Sequence, residues 1–236
     1  MYGGHDVSTG PKTLVTTFNT VAVAGAVWFL FGGADTVAGW FDTDTDTDTG
    51  TGTGFDEAAA LRRALLAALS VLYLLRFVAT NFVMLQRKME WSEAFTIGIW
   101  VLVIHGTMAY SGGTNEAGVS VFTWLGVVLY LLGSYLNTGS EYQRRLWKKR
   151  PENKGKLYTE GLFKHSMHVN YFGDAVLFSG FALVTGTVWA FAVPLVMICM
   201  FVFLNIPMLD KHLGEHYGEA FDEYAARTAK FVPYVY

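Results

Sequence analysis

Asn137 and Glu141 lie four residues apart, and Asn170 and Asp174 repeat that spacing. On a helix, residues at i and i+4 share a face, so each pair would present an amide beside a carboxylate. Two such faces in one layer offer donors and acceptors suited to a ribose, an amide or an amino-acid head. Asn and Asp also cap helix ends, so the pairs need support from their surroundings. Between them runs a basic segment with Arg144, Arg145, Lys148, Lys149, Arg150, Lys154, Lys156 and Lys164. Part of that charge sets membrane orientation and meets anionic lipid. Another loop, with only Arg87 and Lys88, shows how little charge orientation requires. The excess points to a polyanionic ligand such as a phosphorylated nucleotide. The sequence has no glycine-rich dinucleotide fingerprint and no Walker loop, so side chains would have to hold such a ligand.

The histidines are the other chemical candidates. His165 and His168, and His212 and His216, invite a metal reading. The residues between His212 and His216 do not form the metalloprotease sequence, and no metal site is expected. His105 sits within an apolar run, where an ionisable residue is a functional candidate by default, unless it is a neutral imidazole bonded to a backbone carbonyl.

The elements that must position these groups follow from composition. Of 236 residues, 52% are hydrophobic and 16% charged, and the mean hydropathy is +0.31. A soluble domain carries about a quarter charged residues. The pattern predicts an all-α fold, a polytopic membrane helical bundle forming one integral membrane domain over residues 1–236. About six transmembrane helices are expected, near 14–31, 58–82, 95–110, 119–135, 171–185 and 189–204. Between the last two, Gly186, Thr187 and Pro194 suggest a hairpin, since one helix over that whole apolar stretch would be too long for a bilayer. Loops without Lys or Arg, 42–57 and 112–118, alternate with the basic ones. That bias predicts that both termini and the 138–170 loop are cytoplasmic. The N-terminus lacks the basic start and small-residue cleavage site of a signal peptide, so the first span should be retained. The single cysteine, Cys199, lies in an apolar run and reads as packing.

Residues 42–54 form a low-complexity Asp/Thr/Gly stretch. It lacks the spacing of a calcium loop and reads as a disordered exterior loop. After Leu204 the chain turns polar. Leu213, Tyr217, Phe221 and Tyr224 fall on one helical face, with Asp210, Lys211, Glu215, Glu219 and Asp222 largely elsewhere. This predicts a C-terminal amphipathic helix that caps the bundle or closes over a ligand.

Gly161-Leu162-Phe163, followed by Ser166 to Asp174, resembles a signature of the steroid 5α-reductase family and its bacterial membrane relatives. Asn137, Ser140, Glu141 and Tyr142 resemble that family's Asn…Ser-Asp-Tyr element, and Asn153 to Lys156 its bacterial loop. Tyr217, Tyr224 and Phe231-Val232-Pro233 resemble its C-terminal helix and closing Ile-Pro. The similarity covers residues 137–233. The wider superfamily includes isoprenylcysteine and phospholipid methyltransferases, which bind S-adenosylmethionine. The chain departs from both patterns at Met167, Val169 and Asp174. The loss of the Arg-His-Pro core weighs more against the methyltransferases, and the basic loop suits NADPH better than a cationic cofactor. The resemblance therefore implies a membrane oxidoreductase that uses NADPH to reduce a carbon–carbon double bond in an apolar enone lipid, steroid- or isoprenoid-like. The alternative is an S-adenosylmethionine-dependent methyltransferase. Implied cofactor-binding residues are Asn137, Glu141, Lys154, Lys156, His168, Asn170, Tyr171, Asp174, Tyr217 and Tyr224. Tyr73, Glu90 and Glu93 are the nearest polar candidates for a catalytic acid, and none is assigned. Expected partners are a lipophilic small molecule and membrane lipid, with no nucleic acid.

Overall fold

The computed structural model describes residues 8–33, 36–37, 57–85 and 87–235. The predicted Asp/Thr/Gly loop at 42–54 lies outside the described residues. Helices follow one another as α1 (Thr9–Trp28), α2 (Glu57–Val78), α3 (Trp91–Gly113), α4 (Val121–Ser134), α5 (Ser140–Lys148), α6 (Val169–Thr185), α7 (Ala192–Met200), α8 (Ile206–Tyr217) and α9 (Glu219–Arg227). Wider π-type turns continue several of them, at Ala79–Met84, Tyr135–Gly139 and Phe201–Asn205. Such widened turns often mark functional sites.

Five helical stretches are long and apolar enough to cross a membrane: Thr9–Gly33, Ala59–Met84, Trp91–Gly113, Val121–Lys148 and Val188–Tyr217. The shorter apolar helix Val169–Thr185 supplies a sixth candidate. Leu75, Val128, Leu195 and Phe203 are exposed on these helices, as lipid-facing side chains are. The chain is an integral membrane protein. Helix and apolar stretch end together for the first three spans. In Val121–Lys148 and Val188–Tyr217, the helix runs on through a π turn into polar sequence, because backbone hydrogen bonding continues where hydrophobicity stops. At the expected hairpin, Gly186 adopts a φ of +71°, while Pro194 lies buried in the first turn of α7, where its missing N–H costs nothing.

The chain forms two compact units, residues 1–126 with 181–190, and residues 127–180 with 191–236. In the first unit, α1 and α3 run side by side in the same direction. Gly10 faces Trp91, Gly98 faces Phe18, and Gly113 meets Phe29 and Leu30. Val15, Met89 and Ala94 form a core with Leu14, Phe77 and Ile97 around it. The buried Asn81 donates from Nδ2 to the Lys12 carbonyl at 3.0 Å and to Thr16 Oγ1 at 3.1 Å. At the other end of α2, the buried Arg62 donates to the carbonyls of Asn115 at 3.1 Å, Gly118 at 2.7 Å and Ala117. The 112–118 loop, free of Lys and Arg in sequence, is thus fastened by an arginine from a helix.

In the second unit, α4 and α6 approach backbone to backbone. A Cβ on Gly173 would lie 2.5 Å from the Asn137 backbone nitrogen and 2.9 Å from the Gly133 carbonyl oxygen. Small residues permit such approach where lipid supplies no hydrophobic force between helices. The expected single amphipathic helix is two pieces, α8 and α9, broken at Gly218 with φ +54°. Its apolar face is formed as predicted: Met167, Phe221 and Tyr224 make a buried cluster flanked by Leu157, Leu213 and Tyr217. Asp210 departs from the expected polar face. It is half-buried, because it precedes Leu213 and Tyr217 by three and seven residues and so shares their side of the helix.

Candidate functional site

The glycine contact between α4 and α6 brings the two Asn-containing pairs together within the second unit. Asn137, in the π turn after α4, donates from Nδ2 to the Asn170 carbonyl at 3.0 Å. Asn170, in the first turn of α6, donates from Nδ2 to Glu141 Oε1 at 3.0 Å. The other Glu141 oxygen pairs with Arg144 at 2.5 Å. Ser140 Oγ donates to the Asn137 carbonyl at 2.8 Å, fixing the turn from which Asn137 projects. Asp174 lies one turn further along α6 and is half-buried.

A second cluster surrounds His168, which is buried at the start of α6. Its Nε2 lies 2.8 Å from Asp210 Oδ1, and Lys230 Nζ lies 3.1 Å from Asp210 Oδ2. The C-terminal tail is stitched to the same loop: Met167 N donates to the Ala229 carbonyl at 2.8 Å, and His168 N to the Lys230 carbonyl at 3.1 Å. Ser166 Oγ donates to the Phe231 carbonyl at 2.7 Å. Tyr171 stacks on Phe201 with centroids 4.7 Å apart and on His168 at 5.8 Å, so three rings form a column beside the Asn170 network.

The third cluster is cationic. Lys148 Nζ donates to the Lys156 carbonyl at 2.8 Å and to Tyr217 Oη at 3.0 Å. Lys154 and Lys156 are exposed, while Asn153 donates from Nδ2 to the Trp147 carbonyl at 2.9 Å and ties their loop to α5. Tyr224 plays a supporting part: its hydroxyl donates to the Phe163 carbonyl at 2.6 Å. Burial lifts the Tyr224 phenol well above the ordinary tyrosine range, and burial followed by the charge of Glu160 also raises Tyr158.

Sequence reasoning counted Lys148 only among eight cations and Ser166 only within the family signature, and it passed over Asp210 and Lys230 as site residues. Asp210 was findable from its register with the apolar stripe. Lys230 meets Asp210 only through tertiary contact, and no local spacing announces it.

Of the acid candidates in the first unit, Glu93 is held by both guanidinium nitrogens of Arg87, one of them at 2.8 Å. Glu90 pairs with Lys88 at 3.2 Å. Tyr73 is buried, its ring 5.3 Å from that of His105, with the Arg76 guanidinium 5.2 Å from its centroid. His105 is fully buried, with the Phe181 ring 6.0 Å away. Neither ring nitrogen has a hydrogen-bond partner among the described residues.

Comparison with known proteins gives relatives of two kinds. The chain is 27% identical over 145 residues to 3-oxo-5-alpha-steroid 4-dehydrogenase 2 of Rattus norvegicus, covering 61% of this chain and 55% of the relative. It is 28% identical over 112 residues to the Homo sapiens protein of the same name, 48% and 42% of the two chains. It is 32% identical over 110 residues to the probable O-methyltransferase ustE of Ustilaginoidea virens, 44% and 38%. The chain thus spans from about two fifths to just over half of the length of these relatives. Residues 84–228 match the family described as protein of unknown function (DUF1295), well over half of the chain and all but the end of the region that holds the three clusters, and the protein belongs to that family, within a superfamily that embraces steroid 5α-reductase-like and methyltransferase relatives.

Proposed function

We propose that this protein is a membrane-embedded reductase that uses NADPH to reduce a carbon–carbon double bond in an apolar enone lipid, with the 138–170 segment on the cytoplasmic side. The observation that carries the reading is the joining of Asn137, Asn170 and Glu141, with a held ammonium at the far end of the helix that carries Glu141. Asn170 links Asn137 to Glu141, and Lys148 is held by Tyr217 and the Lys156 carbonyl.

This donor set fits a phosphorylated dinucleotide. Glu141 and the two amides offer acceptors and donors for ribose hydroxyls or a carboxamide. Lys148, positioned by two oxygen partners, and the exposed Lys154 and Lys156 offer charge for phosphate. A cation 4 Å from a phosphate oxygen contributes about 4 kcal/mol at an effective dielectric near 20, and the same cation repels a net positive cofactor. The column of His168, Tyr171 and Phe201 would give a flat ring an apolar, stackable wall. Asp210 and Lys230 hold His168 in place. NADPH, when bound, supplies the hydride for the carbon β to the substrate carbonyl. Like the family resemblance, the two steroid dehydrogenases among the relatives support this chemistry.

The O-methyltransferase relative favours a second reading, in which the same groups hold S-adenosylmethionine. Thermal-shift titration of the detergent-purified protein separates the two, because a ligand of the folded state raises its melting temperature by mass action. NADPH should stabilise more than NADH, and S-adenosylmethionine not at all. Asn170→Ala should cost about 1 to 3 kcal/mol of NADPH affinity, roughly five- to a hundredfold. Stabilisation by S-adenosylmethionine alone would overturn the reductase reading. A single cysteine placed at Asn153 should label only after permeabilisation.

A further inference from the structure

A cavity of about 650 Å³ opens in the second unit at residues that none of the three clusters uses. Its lining includes Lys164 and Arg227, the hydroxyls of Thr159 and Thr228, His165 and Glu160. Ligand pockets fall in the range of about 300 to 1,000 Å³. The walls are braced. The Tyr224 hydroxyl bonds the Phe163 carbonyl at 2.6 Å, Leu162 N donates to Gln143 Oε1 at 3.0 Å, and Tyr234 Oη bonds His165 Nδ1. Lys164 and Arg227 are exposed, at the end of a short helical turn and of α9 respectively, and neither is in an ion pair among the described residues.

The charge balance narrows the ligand. Lys164 and Arg227 outnumber Glu160, the one carboxylate of the lining, so the permanently charged side chains leave an excess of one positive charge. A dinucleotide carrying several phosphate charges would be poorly matched here, and it has the Lys148 cluster. A phosphodiester monoanion is matched. Lys164 and Arg227 would meet its oxygens, with Arg able to do so in bidentate fashion, and the threonine hydroxyls would donate. Glu160 then favours a ligand that carries a hydroxyl or ammonium close to the phosphate. His165 lies four residues before the start of α6, so the cavity stands near one end of an apolar helix, where lipid headgroups reside.

We propose that this cavity is a phosphodiester-binding site, distinct from the nucleotide site, which takes a phosphate flanked by a hydrogen-bond donor. The phosphate comes either from a lipid headgroup or from a water-soluble diester.

The test uses the full-length protein in detergent, with dioleoyl phosphatidylglycerol, soluble glycerophosphoglycerol and dimethyl phosphate as probes, read by thermal shift and by native mass spectrometry. Phosphatidylglycerol should bind, and the double variant Lys164→Gln/Arg227→Gln should weaken it at least tenfold while retaining the wild-type melting temperature without probe. Binding of the lipid but not of glycerophosphoglycerol identifies a membrane source, and equal binding of both identifies a soluble diester. Glu160→Gln should strengthen dimethyl phosphate, which has no donor for the carboxylate. If the double variant proves unstable, Arg227→Lys with Thr228→Val gives the same readout with the charge kept. Binding of none of the probes, or binding unchanged by these substitutions, overturns the site. The site is also overturned if the double variant loses its NADPH response in parallel, since the cavity would then belong to the nucleotide. Failure of NADPH to bind the wild type, with phosphodiester binding intact, removes the proposed reductase and leaves this site standing.

Discussion

The second unit surrounds its buried His168 with partners: Asp210 on the ring, Lys230 behind Asp210, and backbone carbonyls of the tail on the loop before it. The first unit also encloses polar side chains, but Asn19 and His105 are fully buried with no hydrogen-bond partner among the described residues. A buried polar group without a partner costs about 1 to 3 kcal/mol, whereas a partnered one is close to neutral or favourable. His168 therefore acts as a fastener in the second unit, whereas His105 and Asn19 are a standing cost in the first. The contrast follows from where the chain can supply partners. Turns and the C-terminal tail bring free carbonyls to His168, while mid-span helices consume their own backbone groups.

That contrast rests on tight helix contact in the second unit, and the largest expected effect lies there. Gly173→Ala would put a methyl group 2.5 Å from a backbone nitrogen, which neither backbone can accommodate. Loss of about 3 kcal/mol is expected, with the Asn137–Asn170 bond opened, so melting temperature and NADPH response should fall together. A stable variant with an intact NADPH response would show that the glycine contact does not position the site.

Within the first unit Asn81 and Arg62 are the partnered cases, and Arg62 is a buried cation satisfied by three carbonyls of the 115–118 loop. Arg62→Met removes charge-assisted bonds and strands acceptors, at a cost of about 2 to 3 kcal/mol. Protease cleavage between residues 114 and 118 should rise well before global unfolding. Unchanged protection would make Arg62 another standing cost and sharpen the contrast between the units.

The apolar architecture was legible in the sequence, because spans of lipid-facing residues declare themselves by composition alone. The pairing of Asn137 and Glu141 with Asn170 was legible from two i, i+4 spacings. Asp174, which shares the second spacing, sits one turn beyond the bonds that join the other three. The break at Gly218 was harder to read, since the apolar register of Leu213, Tyr217, Phe221 and Tyr224 carries across it undisturbed. Asp210 was misplaced because acidic residues were assigned to the polar face by type, when its register with Leu213 put it inside. Lys230 meets Asp210 from twenty residues away, and nothing local encodes that pairing.

A smaller effect tests the fastening of the second unit. Tyr224→Phe removes the bond to the Phe163 carbonyl and should cost about 1 kcal/mol at neutral pH. Burial raises the folded-state pKa of this phenol above its ordinary value of 10.0. Its contribution is therefore complete below pH 10 and is lost as pH climbs through the higher folded value. Wild type and variant should converge in stability under strongly alkaline conditions, as followed by denaturation in detergent. A gap that stays constant with pH would mean that the hydroxyl is not what separates them.

An effect of similar size has the opposite sign. His105 packs edge-on against the Tyr73 and Phe181 rings, in a setting where a phenyl ring fits the same contacts without polar atoms to desolvate. His105→Phe should therefore stabilise the folded protein by about 1 kcal/mol, the part of the imidazole's burial cost that added ring volume does not cancel. The matched substitution in the other unit, His168→Phe, leaves Asp210 half-buried with one partner fewer and should destabilise. Two chemically identical changes would then move the melting temperature in opposite directions. If His105→Phe destabilises as His168→Phe does, the imidazole in the first unit has a partner from outside the chain, water or a bound lipid, and the contrast between the units reduces to one between partners the chain supplies and partners it borrows.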